Sequence, residues 1–192
     1  MAPVDFYFDY RSPYSYLALT QLDDVELRLL PIDVVEVMRI VGNVPTTVTC
    51  AAKGRYAMAD LGRWARRYRQ PVSRHPDSGS IDARRLLRAT LAVEDGLQRR
   101  AAAKALFAAM WVTGASLSHV EDVLAGLTGA VVDTSGLVER IDRPELTAQL
   151  DAASASAAER GVFGVPTMIA GGEMFFGNDR LDFLRDHLEM TQ

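Results

Sequence analysis

The earliest residues that could do chemistry are Ser12-Pro13-Tyr14-Ser15, inside VDFYFDYRSPYSYLALTQL. Serine followed by proline suits a helix start, because the hydroxyl accepts a free backbone N–H and proline has none to lose. A helix N-terminus also stabilises an anion, and a thiolate placed there forms more readily. Ser12 has no thiol, so a thiol at this place must come from a ligand. Two readings stand: a cap, and a holder for a reacting anion.

Two further stretches carry the same double meaning. In Gly164-Val165-Pro166-Thr167 the proline sits at a strand entry, where it removes one ladder hydrogen bond. It reads either as an ordinary trans proline of an edge strand or as a cis bond, which X–Pro peptides tolerate. The cis form would turn the N–H and C=O of Val165 toward an extended, peptide-like ligand. In Phe176-Gly177-Asn178-Asp179-Arg180 the bland reading is a helix cap, with Asn178 at the N-cap and an acid in the first turn. The functional reading has the helix N-H groups hold a carboxylate while Asp179 holds an ammonium. A γ-glutamyl group carries both charges.

The elements that must position these stretches are legible from periodicity. Val4 to Asp9 alternates as a strand, residues 13–22 follow as a helix, and VELRLLPIDV is a second strand ending around Pro31. The right-handed crossover makes these strands parallel neighbours. From about 53 to 160 the pattern is helical. GRYAMADLGRWARRYRQ is stopped by Pro71, and ARRLLRATLAVEDG and the alanine-rich RRAAAKALFAAMW follow. Capping boxes are expected at Ser118–Glu121 and Asp142–Glu145, and the helix after the second runs to Gly161 as its left-handed terminator. VPTMIA, GG and EMFF read as strand, turn and strand. A last helix then places Leu181, Leu184 and Leu188 on one face.

Bulk properties narrow the function classes. The chain has 192 residues, 48% hydrophobic and 24% charged, as in one globular unit. A net charge of −4 argues against a dedicated nucleic-acid binder. No apolar run approaches the roughly 18–20 residues that span a bilayer. The N-terminus goes straight into a strand without a secretory pattern. A single cysteine, Cys50, leaves no intrachain disulfide, and a soluble cytoplasmic protein is the expectation. Cys50 reads as a small filler before it reads as a reactive thiol. No metal site is assigned.

A β-α-β start, a Val-Pro at a strand entry and a β-β-α finish describe an α/β, thioredoxin-like fold with a large all-helical insertion. It is expected as one unit over 1–192, formed by about 1–40 and 160–192 with the insertion over about 41–159. The stretches FYFDYRSPYSYLA, GVFGVPTM and FFGNDRLDFL resemble the glutathione-dependent 2-hydroxychromene-2-carboxylate isomerases, relatives of the kappa-class glutathione transferases in the DsbA-like branch. NVP, RWARRY and ARRLLRA resemble the same family less specifically.

The resemblance implies the following. Ser12 and Ser15 stand where a redox relative has its two cysteines, so disulfide chemistry is absent here. Glutathione is the cofactor. Its cysteinyl backbone pairs with Val165 beside Pro166, its γ-glutamyl end lies on Phe176, Gly177, Asn178 and Asp179, and Ser12 hydrogen-bonds the thiolate. The isomerase chemistry is thiolate addition to an enone-like carbon, bond rotation and elimination. A transferase of the kappa-class type would keep the adduct, and a non-catalytic thioredoxin-like module would only bind glutathione. The substrate is an aromatic or unsaturated carboxylate, with Asn43, Lys53 and Arg55 as binding candidates and Arg84, Arg85 and Arg88 as further cations. Around TTVTCAAKGRY the chain departs from the naphthalene-pathway pattern, so the resemblance implies glutathione binding more strongly than it implies the chromene substrate. His75 and His119 are expected in structural or surface roles. No nucleic-acid or membrane partner is expected, and a homodimer is implied by the resemblance.

Overall fold

The computed structural model describes residues 3–191, apart from the side chains of Thr46 and Val48. The outermost residues of the expected 1–192 unit therefore lie outside the described residues. Strand β1 (Val4–Phe8) is buried along its whole length. Its alternation sorts side chains to two faces: Val4, Phe6 and Phe8 join the larger core, and Tyr7 joins a smaller one. Both faces need cover, and both receive it.

Helix α1 (Pro13–Leu19) follows, then β2 (Leu27–Pro31), which pairs parallel to β1 with Phe6 opposite Leu29. Next come α2 (Val34–Val41), α3 (Thr46–Thr49) and α4 (Ala51–Tyr68). Helices α5 (Ala83–Ala92) and α6 (Gly96–Ala108) precede a π-helical turn, Ala109–Thr113. Then follow α7 (Val120–Gly129), α8 (Leu137–Ile141) and α9 (Pro144–Glu159). Strands β3 (Thr167–Ala170) and β4 (Glu173–Phe176) form a hairpin, and a 3₁₀ turn, Asn178–Arg180, leads into α10 (Leu181–Met190).

The sheet order is β2-β1-β3-β4, with β3 antiparallel to both of its neighbours. This mixed four-stranded sheet with helices between its halves is the thioredoxin-like arrangement expected. Gly171 and Gly172 make the hairpin turn at φ 56° and 91°, as a two-residue turn requires. On one face α2 and α9 pack through Val37 and Ala157 onto Tyr7, Ile32 and Ile169. On the other, α1, α10 and the inserted helices share a core that includes Leu17, Leu184, Tyr10 and Phe107.

The insertion is bolted to the end of β1. Trp111 of the π-helical turn donates its indole N–H to the carbonyl of Tyr10 at 2.7 Å. The Tyr10 hydroxyl shares a 2.6 Å hydrogen bond with Thr90 of α5. Burial pushes the Tyr10 phenol well above its ordinary range, so it stays neutral.

Several ends differ from the sequence expectation. Helix α1 stops at Leu19, short of residue 22. The start of α7 slips by one residue: His119 is the N-cap, and Asp122 accepts its N–H at 3.1 Å and the Ser116 hydroxyl at 2.7 Å. Burial of Val123 and Leu127 sets that register. Helix α9 begins with Pro144 at its first position, which holds Arg143 extended as the N-cap. Asp142 is thereby freed from capping and receives Arg88 at 2.7 Å. Gly161 does take positive φ, 85°, just past α9.

Candidate functional site

Ser12 lies in the turn between β1 and α1. It is extended, at φ −97° and ψ 108°, and its Oγ accepts the Ser15 N–H at 3.1 Å. The cap reading is therefore correct as far as it goes. The Ser12 hydroxyl itself points to the carbonyl of Val165 at 3.4 Å. That is long for an O–H···O bond, so the proton is weakly held. Helix α1 has seven residues, too short for a large dipole at its N-terminus.

The Val165–Pro166 bond is cis. Val165 precedes β3, and its N–H makes no hydrogen bond among the described residues. Its carbonyl meets only the weak Ser12 contact among the described residues. The loop around it is braced: Asn43 donates its amide to Phe163 O at 2.8 Å, and Thr167 donates its hydroxyl to Gly164 O at 2.8 Å. Gly164 has a steric reason to be glycine. A Cβ there would come within 2.9 Å of the Phe176 ring, which packs on Phe163 at 4.6 Å between centroids.

The third stretch joins this one directly, because Gly177 N–H donates to Pro166 O at 2.9 Å. Gly177 stands at φ 98° and is itself the cap of the 3₁₀ turn, displacing Asn178 from the expected N-cap position. Its missing Cβ leaves room for Asp179 Oδ1, which would lie 2.5 Å from it. Asn178 turns inward instead, and its Nδ2 is buried without a partner among the described residues. Tyr68 of α4 donates its hydroxyl to Asn178 O at 2.7 Å. Asp179 is about half exposed and pairs with Arg180 at 2.6 Å. Phe176 is exposed at the end of β4.

An open groove of about 470 Å³ lies beside α1, lined by Tyr14, Thr47, Ala52, Lys53, Tyr56 and Ala57. Lys53 is its one charged lining residue among the described residues. Tyr14 donates to Ala57 O at 3.1 Å, and burial, with Asp60, Tyr56 and Asp179 nearby, pushes its phenol up to about 12. Arg55 is exposed and sits about 200° around α4 from Lys53, away from the groove. Asn43 is in the brace to Phe163 and not in the groove lining.

The other cations are engaged elsewhere. Arg84 bridges Asp33 and Asp151, Arg85 and Arg88 reach Asp142, and Arg88 also donates to Ile141 O. His75 is buried between Ala115 O and the Asp77 N–H, a structural placement. Cys50, half-buried at the start of α4, has no capping bond.

Sequence reasoning missed the network that shapes the Ser12 turn. Asp9 is fully buried and accepts the Arg11 N–H at 2.9 Å, the Val34 N–H at 3.0 Å and the Arg11 guanidinium. Arg11 also reaches Asp33 Oδ1 at 2.6 Å, while Arg84 reaches Asp33 Oδ2 at 2.7 Å. Asp33 caps α2 through the N–H groups of Val35 and Glu36. The only local signal was an aspartate at the end of a buried strand, a place where a charge needs a partner.

Residues 3–189 match the DSBA-like thioredoxin domain. The chain is 33% identical to a 2-hydroxychromene-2-carboxylate isomerase of Sphingobium xenophagum, covering 96% of this chain and 97% of that one. It is 27% identical to glutathione S-transferase kappa 1 of Homo sapiens, covering 94% and 88% respectively. A solved 2-hydroxychromene-2-carboxylate isomerase superposes with a TM-score of 0.88 at 32% identity, over 99% of this chain and 96% of that one.

Proposed function

Because the chain belongs to the 2-hydroxychromene-2-carboxylate isomerase family, within the DsbA-like thioredoxin domains, we propose that it is a glutathione-dependent isomerase of an aromatic or unsaturated carboxylate. The observation that carries this reading is the meeting of Ser12 with Val165. A serine whose hydroxyl makes only a long contact faces a backbone unit whose N–H has no partner among the described residues, where Ser12 and Ser15 supply no thiol.

The residues fit a cysteinyl peptide. Val165 offers one N–H and one C=O, the pair an extended backbone needs. Asn178 Nδ2 is an unpartnered buried donor, and Gly177 and Asp179 form the adjoining turn. When bound, glutathione supplies a thiolate able to add reversibly to an unsaturated carbon. A peptide N–H on Val165 O would release the Ser12 hydroxyl to donate to the sulfur. Lys53 would hold the substrate carboxylate at the groove, with Tyr14 and Tyr56 as apolar walls.

Ser12 contributes little through ionisation alone. Lowering a thiol from a pKa of about 8.5 by about two units raises the thiolate fraction at pH 7 about 25-fold. The accompanying fall in nucleophilicity returns about six- to tenfold of that. A few-fold net gain cannot make an enzyme, so placement of the sulfur against the substrate must supply the main acceleration.

Millimolar glutathione is expected to raise the melting temperature, since a ligand at about 100 times its Kd adds about 2.7 kcal/mol. No shift, together with no heat on titration, would remove the reading. The similarity to glutathione S-transferase kappa 1 favours transfer as a second reading. Mass spectrometry separates them: an isomer keeps the substrate mass, whereas transfer releases a glutathione adduct. Lys53→Met is expected to raise KM for a carboxylate substrate about two- to fivefold with kcat nearly unchanged, the scale of a solvent-exposed charge pair. Steady-state kinetics with a neutral ester of the same substrate would show no such rise.

A further inference from the structure

The Ser12 turn is held between charges that nearly cancel. Asp9 and Asp33 are buried carboxylates, and Arg11 and Arg84 are the guanidiniums set against them. The Ser12 N–H donates to Asp9 O at 3.0 Å, so the Asp9 residue belongs to the same turn. Arg11 is adjacent to Ser12 and touches both carboxylates, through Nε and Nη2. Asp151, which faces Arg84 from α9, is more than half exposed and largely solvated. From the other elements at the site, Lys53 lines the groove and Asp179 is paired with Arg180. Without Arg11, Asp33 would keep Arg84 while Asp9 would have no guanidinium among the described residues, leaving an uncompensated negative charge in the turn that presents the Ser12 hydroxyl.

We propose that Arg11 is a positioning residue for the Ser12 site: it neutralises Asp9 and Asp33 toward the bound thiol and clamps the turn that aims the Ser12 hydroxyl. This rests on the glutathione reading above. A unit charge within about 8–10 Å in a partly buried setting moves a pKa by about one unit, enough to change the thiolate-to-thiol ratio about tenfold. The guanidinium fork suits the task because one planar group reaches two carboxylates, which a lysine does less well.

The test uses the full chain saturated with glutathione. The ultraviolet absorbance of the thiolate, taken against the S-methylglutathione complex, is followed with pH to give the thiol pKa. Arg11→Met is expected to raise that pKa by about one unit, and Arg11→Lys to restore most of the shift. Asp33→Asn is expected to move it the opposite way. S-methylglutathione affinity, read by calorimetry, should stay within about twofold of wild type in Arg11→Met, because that ligand has no ionisable thiol. Shifts of the same sign in Arg11→Met and Asp33→Asn would mark plain structural damage and overturn the proposal, as would an unmoved pKa in Arg11→Met. Should Arg11→Met not fold, Asp33→Asn decides: a lowered pKa supports the proposal, and an unchanged or raised one overturns it. A wild-type protein that binds no glutathione would overturn the underlying reading and this proposal with it. Wild-type binding with a lowered thiol pKa that Arg11→Met leaves untouched would overturn this proposal alone.

Discussion

Ser12→Ala is expected to cut glutathione-dependent turnover by about 10²-fold, a few-fold of it through the smaller thiolate fraction and the rest through loss of the group that places the sulfur. The substitution also deletes the α1 cap, because the same Oγ accepts the Ser15 N–H. Loss of a serine cap costs about 1 kcal/mol, a fall in melting temperature of about 2–4 °C for a chain of this size. The two effects are separable with Ser12→Asp. Aspartate is a good cap and keeps the helix start, yet it cannot donate when ionised and repels a thiolate. Stability near wild type with turnover abolished is the expected result for Ser12→Asp. Unchanged turnover in Ser12→Ala would take Ser12 out of the mechanism, and no turnover in the wild type would leave a thioredoxin-like module that only binds glutathione.

The largest expected stability loss lies at Asp33. Asp33→Asn keeps the shape of the α2 cap but removes the charge shared by Arg11 and Arg84. Breaking a buried pair costs about 3–5 kcal/mol, and the lower end, about 3 kcal/mol, applies because both guanidiniums are about one-third exposed. Urea unfolding at neutral pH would measure it. Burial alone would raise the Asp33 carboxyl, but hydrogen bonds from Arg11 and Arg84 outweigh it and hold the group below its ordinary value of 3.8. A carboxyl whose folded pKa lies below the unfolded one stabilises the fold above the unfolded pKa. That contribution drains away as pH falls through the folded pKa. The gap between wild type and Asp33→Asn should therefore be full above about pH 5 and shrink below about pH 4. A gap of equal size at pH 3 and pH 7 would show that the charge on Asp33 is not what holds the network.

Much of the fold was legible because its signals are local. Alternation in VDFYF, the Gly171-Gly172 turn and the leucine stripe of α10 depend only on near neighbours, and each appears where its period placed it. Ends were less secure, by one residue at His119 and Asn178, since neighbouring polar side chains compete to cap one helix start and distant packing chooses among them. The cations illustrate the same limit. Arg84, Arg85 and Arg88 looked as available as Lys53, yet their partners Asp33, Asp142 and Asp151 lie 50 or more positions away.

The three site stretches could be named from residue type, because serine before proline, Val-Pro before a strand and glycine before an acid each carry a backbone constraint of their own. Their meeting could not. Ser12 and Val165 are separated by 153 positions and come together only because β3 docks beside β1. Asp9, just past the end of β1, is buried, and its charge is met by Arg11, which also reaches Asp33. Local sequence chose the kinds of group available, since capping, cis-capable proline and alternation act over a few bonds. Which groups face one another, and which charges are neutralised, was chosen by burial of the sheet's two faces, which acts across the whole chain.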